Sequence, residues 1–237
     1  MANSWFQFKQ FKVEQEKSAM KVGTDGVLLG AWACKNGKSI LDVGTGTGLI
    51  ALMLAQRFED AEITAIDIDK HAAEQAYENV CNSPWSDRIS VECADFNIFR
   101  KEQAGCYDHI ISNPPYFKQS LKSNSRSRSL ARHDMLLTHD MLIVESVRLL
   151  NDGGCLSVVL PYVEGSVFIA LAATKGLYCT RKTNVYSKPD SEIRRLLLEF
   201  RKVKQNLVED SLVIEEKGRH SYSKEYLELT SPFYLFG

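Results

Sequence analysis

The chain has 237 residues, of which 44% are hydrophobic and 25% charged, and its 29 Lys and Arg against 30 Asp and Glu leave a formal charge of −1. That is the balance of a globular chain with one large α/β core or two small ones, and it excludes a histone-like polycation while leaving room for local charge. No run approaches the roughly 18 consecutive apolar residues of a membrane helix, and the opening residues carry no basic segment leading into an apolar one, so no secretory signal is expected.

In chain order, residues 6–13 alternate like a strand, and Thr24 or Asp25 can cap a short helix ending near Trp32. Ser39 to Val43 reads as a buried strand, followed by a helix over Leu49 to Phe58. Glu62 to Ile66 is a second strand, Lys70 to Cys81 a helix, Arg88 to Glu92 a third strand and Tyr107 to Ser112 a fourth. Lys118 to His133 is rich in Ser, Lys and Arg and contains no acid, so segment 117–133 is expected to be a mobile basic loop. Thr138 can cap a helix running to Leu150, which Asp152-Gly153-Gly154 should end before a fifth strand over Cys155 to Leu160. A helix over Val163 to Lys175 precedes two long strands, Tyr178 to Tyr186 and Glu192 to Lys202. The turn residues Ser187-Lys188-Pro189-Asp190 between them imply an antiparallel hairpin. Alternation of this kind implies a doubly wound, mostly parallel sheet with an antiparallel edge. The ligand site of such a sheet lies at the strand carboxyl ends. The chain is expected to form one domain, with residues 1–36 covering the sheet.

The six cysteines, Cys34, Cys81, Cys93, Cys106, Cys155 and Cys179, form no CxxC pair and have no His at zinc-ligand spacing. Reduced, mostly buried thiols of a cytoplasmic protein are expected, and no metal.

The first strand leads into Asp42-Val43-Gly44-Thr45-Gly46-Thr47-Gly48. Glycines here allow a tight turn and close backbone approach to a ligand. A GxGxxG dinucleotide fingerprint would need glycine where Leu49 stands, and a carboxylate at Asp42 suits a cationic ligand better than a pyrophosphate. Asp67 ends the second strand about 20 residues on, where an acid bonds ribose hydroxyls in related folds; Asp69 competes for that role. After the fourth strand comes Asn113-Pro114-Pro115-Tyr116. Two prolines fix the backbone and leave carbonyls as acceptors, Asn113 adds a side-chain acceptor, and Tyr116 offers a ring face. The set suits a flat group carrying an NH2. Two acceptors on its hydrogens would hold the nitrogen pyramidal, with its lone pair aimed at an electrophile.

The D-x-G-x-G-x-G loop resembles motif I of class I S-adenosylmethionine-dependent methyltransferases, whose Rossmann-like fold implies a seven-stranded sheet with an antiparallel C-terminal hairpin. That resemblance implies a cofactor site of Asp42, Gly44, Thr45, Gly46, Gly48, Asp67 and Asn113, with Asp95 on the adenine amine and Phe96 against the ring. Asn113, Pro114, Pro115 and Tyr116 resemble the motif of amino-methyltransferases, which they would serve as catalytic residues. Nearly the whole chain is similar to the bacterial tRNA1(Val) (adenine-37-N6)-methyltransferase family. The match rests on the Phe6–Val13 opening, Met20–Trp32, the glycine loop, NPPY, and Tyr222–Thr230 before Phe233-Tyr234-Leu235. It implies tRNA as partner and a flipped-out adenine as target. Lys21 and Thr24 would reach the cofactor or simply belong to a packing helix. Lys118, Lys122, Arg126, Arg128 and Arg132 would hold phosphates or form a solvated loop, and Phe233-Tyr234-Leu235 is expected to pack. A cytoplasmic monomer is expected. Methylation of a protein glutamine or of guanine in rRNA, and a non-catalytic binding module, are the competing readings. The short stretch before the glycine loop leaves no room for the helical domain of the glutamine enzymes.

Overall fold

The computed structural model describes residues 3–18, 20–34, 37–115 and 137–235. Its elements are β1 (Trp5–Gln7), β2 (Lys12–Glu14), α1 (Thr24–Trp32), β3 (Ser39–Val43), α2 (Leu49–Arg57), β4 (Glu62–Asp67), α3 (Lys70–Cys81), β5 (Ile89–Cys93) and β6 (Tyr107–Ser112). They continue with α4 (His139–Leu149), β7 (Leu150–Pro161), α5 (Tyr162–Thr174), β8 (Tyr178–Tyr186), β9 (Ile193–Arg201), β10 (Val208–Val213) and α6 (Lys224–Thr230). No described helix is long and apolar enough to cross a membrane.

The main sheet has the order β10-β8-β9-β7-β6-β3-β4-β5. Pairs from β7 through β6, β3 and β4 to β5 are parallel, whereas β9 runs antiparallel to both β7 and β8. The chain starts this sheet in its middle, with β3. It builds outward through β4 and β5, then returns to lay β6 on the other side. The switch point thus falls between β3 and β6, where open α/β sheets bind ligands.

The seven expected strands are present, and β10 adds an eighth, parallel to β8. Its sequence, VEDSLV, carries two acids that argue against a strand. Side-chain pairs hold it instead: Glu209 accepts from Lys182 at 2.8 Å and from Asn184 at 2.8 Å, and Asp210 accepts from the Thr183 hydroxyl. A second difference lies at Asp152-Gly153-Gly154, which do not end α4. The helix stops at Leu149, and the three residues lie within β7. Tyr107 opposes Leu150 and His109 opposes Cys155, so the residues between Leu150 and Cys155 bulge out of the ladder.

Two apolar layers cover the sheet. On one face α1 and α2 pack with Ile40, Ile111 and Val159; on the other, Leu142, Ile143 and Phe168 meet Ile110 and Leu156. Gly30 lets α1 approach α2 closely, since a Cβ there would sit 2.8 Å from Met53 Sδ. Neither Thr24 nor Asp25 caps α1. Gly23 holds the cap position without a side-chain bond, and Asp25 instead pairs with Arg195 of β9 at 2.7 Å. The small β1–β2 sheet meets the C-terminus: Phe233 is buried, its carbonyl accepts the Lys9 amide at 2.8 Å, and Tyr234 stacks on Phe8. Phe233 and Tyr234 therefore pack, whereas Leu235 is exposed.

Candidate active site

The glycine loop follows directly from the end of β3. Gly44, Gly46 and Gly48 have φ of +71°, +60° and +80°, the left-handed region where a side chain is strained. The turn is clamped from β4, because the Gly44 and Thr45 amides both donate to the Ile66 carbonyl at 2.9 Å. The Gly46 amide donates to Asp67 Oδ2, also at 2.9 Å. Asn79 of α3 braces the outer side, donating to the carbonyls of Thr47 and Glu14 at 2.8 Å each. On the inner side the loop is open. A Cβ added at Gly44 meets nothing within 4 Å, and one at Gly46 meets only Ser18 Oγ, at 3.9 Å.

That open side faces a pocket at the carboxyl ends of β3, β4, β5 and β6. Of the residues expected there, Gly44, Gly46, Asp67, Asp95, Phe96, Asn113 and Pro115 line it. Asp67 uses both carboxylate oxygens on backbone, with Oδ1 accepting the Asp69 amide at 2.9 Å. Burial pushes its pKa up, and the hydrogen bonds from Asp69 and Gly46 oppose the shift. Asp69 also lines the pocket while capping α3, accepting the His71 amide at 2.8 Å. Asp95 accepts the Asn97 amide at 2.9 Å, which holds its carboxylate at the end of β5. Phe96 is buried beside it. Asn113 is half-buried at the end of β6, and the preceding Ser112 donates to the Val43 carbonyl at 2.8 Å, fastening the two switch-point strands together.

Other expected site residues lie elsewhere. Asp42 is fully buried beneath the loop, and its Oδ2 accepts the Thr45 hydroxyl at 2.6 Å. Both residues thus shape the turn from inside. Burial pushes the Asp42 carboxyl up to about 7, against the Thr45 hydrogen bond that lowers it. Gly48 abuts α3, where a Cβ would lie 3.4 Å from Ala76 Cα, so it serves packing. Lys21 donates its ammonium to the Gln15 carbonyl and does not line the pocket. Thr24 lines a separate cleft with Tyr222, Tyr226 and Tyr234, because α1 begins on the side where the C-terminal segment packs. Pro114 is buried and Pro115 exposed. Tyr116, Lys118, Lys122, Arg126, Arg128 and Arg132 fall outside the described residues.

Sequence reasoning missed Ser18, Met20, Leu137 and Met141, which complete the wall. Ser18 and Met20 come from the segment before α1, and Met141 from the first turn of α4. The quoted Met20–Trp32 stretch contained a signal for Met20; the other three carry none of their own.

The pocket fits a nucleoside with a cationic tail. Glycine backbone without side chains forms one wall, and the carboxylates of Asp67, Asp69 and Asp95 supply acceptors. Ile66, Ile68, Ala94 and Phe96 supply an apolar slot for a flat base.

The methyltransferase small domain matches residues 18–166. A tRNA1(Val) (adenine(37)-N6)-methyltransferase of Flavobacterium psychrophilum is 50% identical over 97% of this chain and 99% of its own length. The protein of that name from Bacteroides fragilis is 47% identical over 99% of each chain. Among solved structures, one described as a predicted O-methyltransferase from Agrobacterium tumefaciens superposes with a TM-score of 0.70. It is 23% identical, over 88% of this chain and 96% of its own, and shows the shared fold. Glycine loop, acids and Asn113 stand together at the switch point of this fold, and full-length relatives share the sequence at up to half of its positions. The chain belongs to the tRNA1(Val) (adenine(37)-N6)-methyltransferase family.

Proposed function

We propose that this protein methylates the exocyclic amine of adenine 37 in tRNA1(Val), with S-adenosylmethionine as methyl donor. The observation that carries the reading is the placement of Asn113 and Pro115 on the same pocket as Gly44, Gly46, Asp67 and Asp95. A donor held by the loop and an amine held by the Asn-Pro-Pro turn would share one space.

Bound in this pocket, S-adenosylmethionine supplies an electrophilic methyl group on a sulfonium. Asp67 would accept from ribose hydroxyls, Asp95 would accept from the adenine amine and Phe96 would pack against its ring. Asp67, Asp69 and Asp95 line the pocket and give it negative potential, which favours a cationic sulfonium. The Asn113 side-chain carbonyl and the Pro114 main-chain carbonyl each accept a hydrogen from the target amine. Desolvation and two fixed acceptors localise the lone pair that ring conjugation otherwise withdraws, and this positioning is the main catalytic device. Tyr116 stacks on the target base, and Lys118, Lys122, Arg126, Arg128 and Arg132 contact phosphates. The enzyme works on tRNA in the cytoplasm, as a monomer and without a catalytic metal.

The test is transfer of labelled methyl groups to total tRNA, followed by nucleoside analysis. N6-methyladenosine is the expected product, lost when adenine 37 of tRNA1(Val) is replaced by guanosine. Label in N2-methylguanosine, or in protein alone, refutes the reading.

A further inference from the structure

Four residues back along β6 from Asn113, roughly 13 Å at the rise of a strand, lies a second cluster of chemically active side chains. Cys34, His109 and Cys155 are all buried, and one ligand atom from each lies within 4.8 Å of the other two. His109 and Cys155 are register partners on adjacent strands. Cys34 follows the end of α1, where Arg57 donates to the carbonyls of Gly30 and of the C-cap residue Ala33 at 2.7 and 2.9 Å. The two thiols approach to 2.8 Å.

The imidazole is the informative member. Nε2 lies 3.0 Å from Ser157 Oγ, whereas Nδ1 has no hydrogen-bond partner although the ring is fully buried. An unsatisfied polar atom in a core is destabilising unless a partner reaches it. Ser157 Oγ can accept a proton from Nε2, and in that tautomer Nδ1 carries a lone pair, which is how outer hydrogen bonds prepare a metal-ligating histidine.

We propose that Cys34, His109 and Cys155 bind a thiophilic divalent metal ion of the zinc class, tying the end of α1 to β6 and β7. Two sulfurs and an imidazole select zinc over the oxygen-seeking magnesium and calcium. Two thiolates and a neutral imidazole balance the charge of the ion, so the filled site adds no net charge to the core. Cys155 also lines a surface cleft with Gly37, Arg57, Asp108 and Asn151, which gives the ion a route inward and water a fourth coordination position. Tetrahedral zinc at about 2.3 Å from each sulfur spaces them about 3.7 Å apart, so binding opens the thiol pair. The site shares no residue with the methyl-transfer pocket, and its role is to hold the fold.

Metal analysis and cobalt substitution on the full-length protein test this. The reduced wild-type chain, incubated with zinc and desalted, should retain about one ion per chain, and a chelator should lower its Tm. Replacement by cobalt should give a thiolate-to-metal charge-transfer band that Cys155→Ala abolishes. Ser157→Ala should weaken affinity about 10- to 100-fold while keeping the band. A wild-type chain that retains no zinc and gives no band overturns the proposal, and that result does not depend on any variant folding. An unchanged band in Cys155→Ala, or a Cys34–Cys155 disulfide that persists in zinc-containing buffer after reduction, overturns it too. None of these outcomes bears on methyl transfer, so the two readings fail separately.

Discussion

Strand β6 carries a different kind of site at each end. At its carboxyl end, Asn113 and Pro115 reach a pocket shared with Gly44, Gly46, Asp67 and Asp95. At its amino end, His109 is enclosed with Cys34 and Cys155, the two cysteines lying 121 positions apart in the chain. The first site is built from turns, whose backbone needs are written in neighbouring residues: glycines where φ is positive, prolines where the chain must stay rigid. The second is built by register and packing, which no short motif records. A ligand pocket on loops can therefore be read from a sequence, whereas a buried polar cluster has to be seen.

If the carboxyl end of β6 is the reacting end, Asn113→Ala should give the largest effect. Turnover should fall at least about 100-fold while the cofactor Kd stays near the wild-type value. Single-turnover methyl transfer and calorimetric titration measure the two, and retained turnover would break the assignment.

Asp67→Ala comes next. It removes the acceptor of the Gly46 and Asp69 amides, and with it the proposed ribose contact. Charged hydrogen bonds are worth about 1.5–3 kcal/mol each, so cofactor affinity should weaken by roughly 10- to 100-fold or more. An unchanged Kd would shift the role to Asp69.

Asp42 separates shaping from binding within the pocket end. Its raised pKa means that the folded state holds the proton more tightly than the unfolded chain. Its stabilising contribution is thus fully present below pH 3.8 and is lost as the pH rises through about 7. Asn at this position keeps an acceptor for Thr45 and removes the titration. Relative to Asp42→Asn, the wild type should lose a few kcal/mol of stability, about 4 at most, between pH 4 and pH 8. Denaturant unfolding at both ends of that range reads the difference. A pH-independent difference would show that the carboxyl is ionised throughout.

Thr24→Ala should have the smallest effect. Thr24 faces the cleft of Tyr222, Tyr226 and Tyr234, so cofactor Kd and turnover should both stay within about twofold, a few tenths of a kcal/mol. A large loss of either would return Thr24 to the site.

The same contrast explains what the sequence made legible. Strands β3 and β6 and helix α3 are apolar runs or amphipathic repeats bounded by strong stops, and their limits agree with expectation at both ends. Thr138 caps α4 as its spacing implied, accepting the Met141 amide at 3.2 Å. Strand β10 escaped because it is an acidic edge held by Lys182, Thr183 and Asn184 of its neighbour, a tertiary cause. Asp42 was legible as a motif residue but not as a buried one, since adjacency to a glycine loop does not say which way a strand-end side chain points. Strand alternation settles it: Asp42 lies inside β3, and its partner Thr45 closes over it. Cys34, His109 and Cys155 escaped because their spacing matches no local metal motif.

The turn after β3 and the turn after β6 line one pocket. A crystal structure with S-adenosylhomocysteine, the demethylated product of the donor, is the most direct test of the claim that both serve one ligand. Ribose hydroxyls should lie on Asp67, the adenine amine on Asp95, the ring against Phe96 and the sulfur end facing Asn113. Density for the ligand in the cleft of Thr24, Tyr222 and Tyr226, or adenine turned away from Asp95, would contradict it.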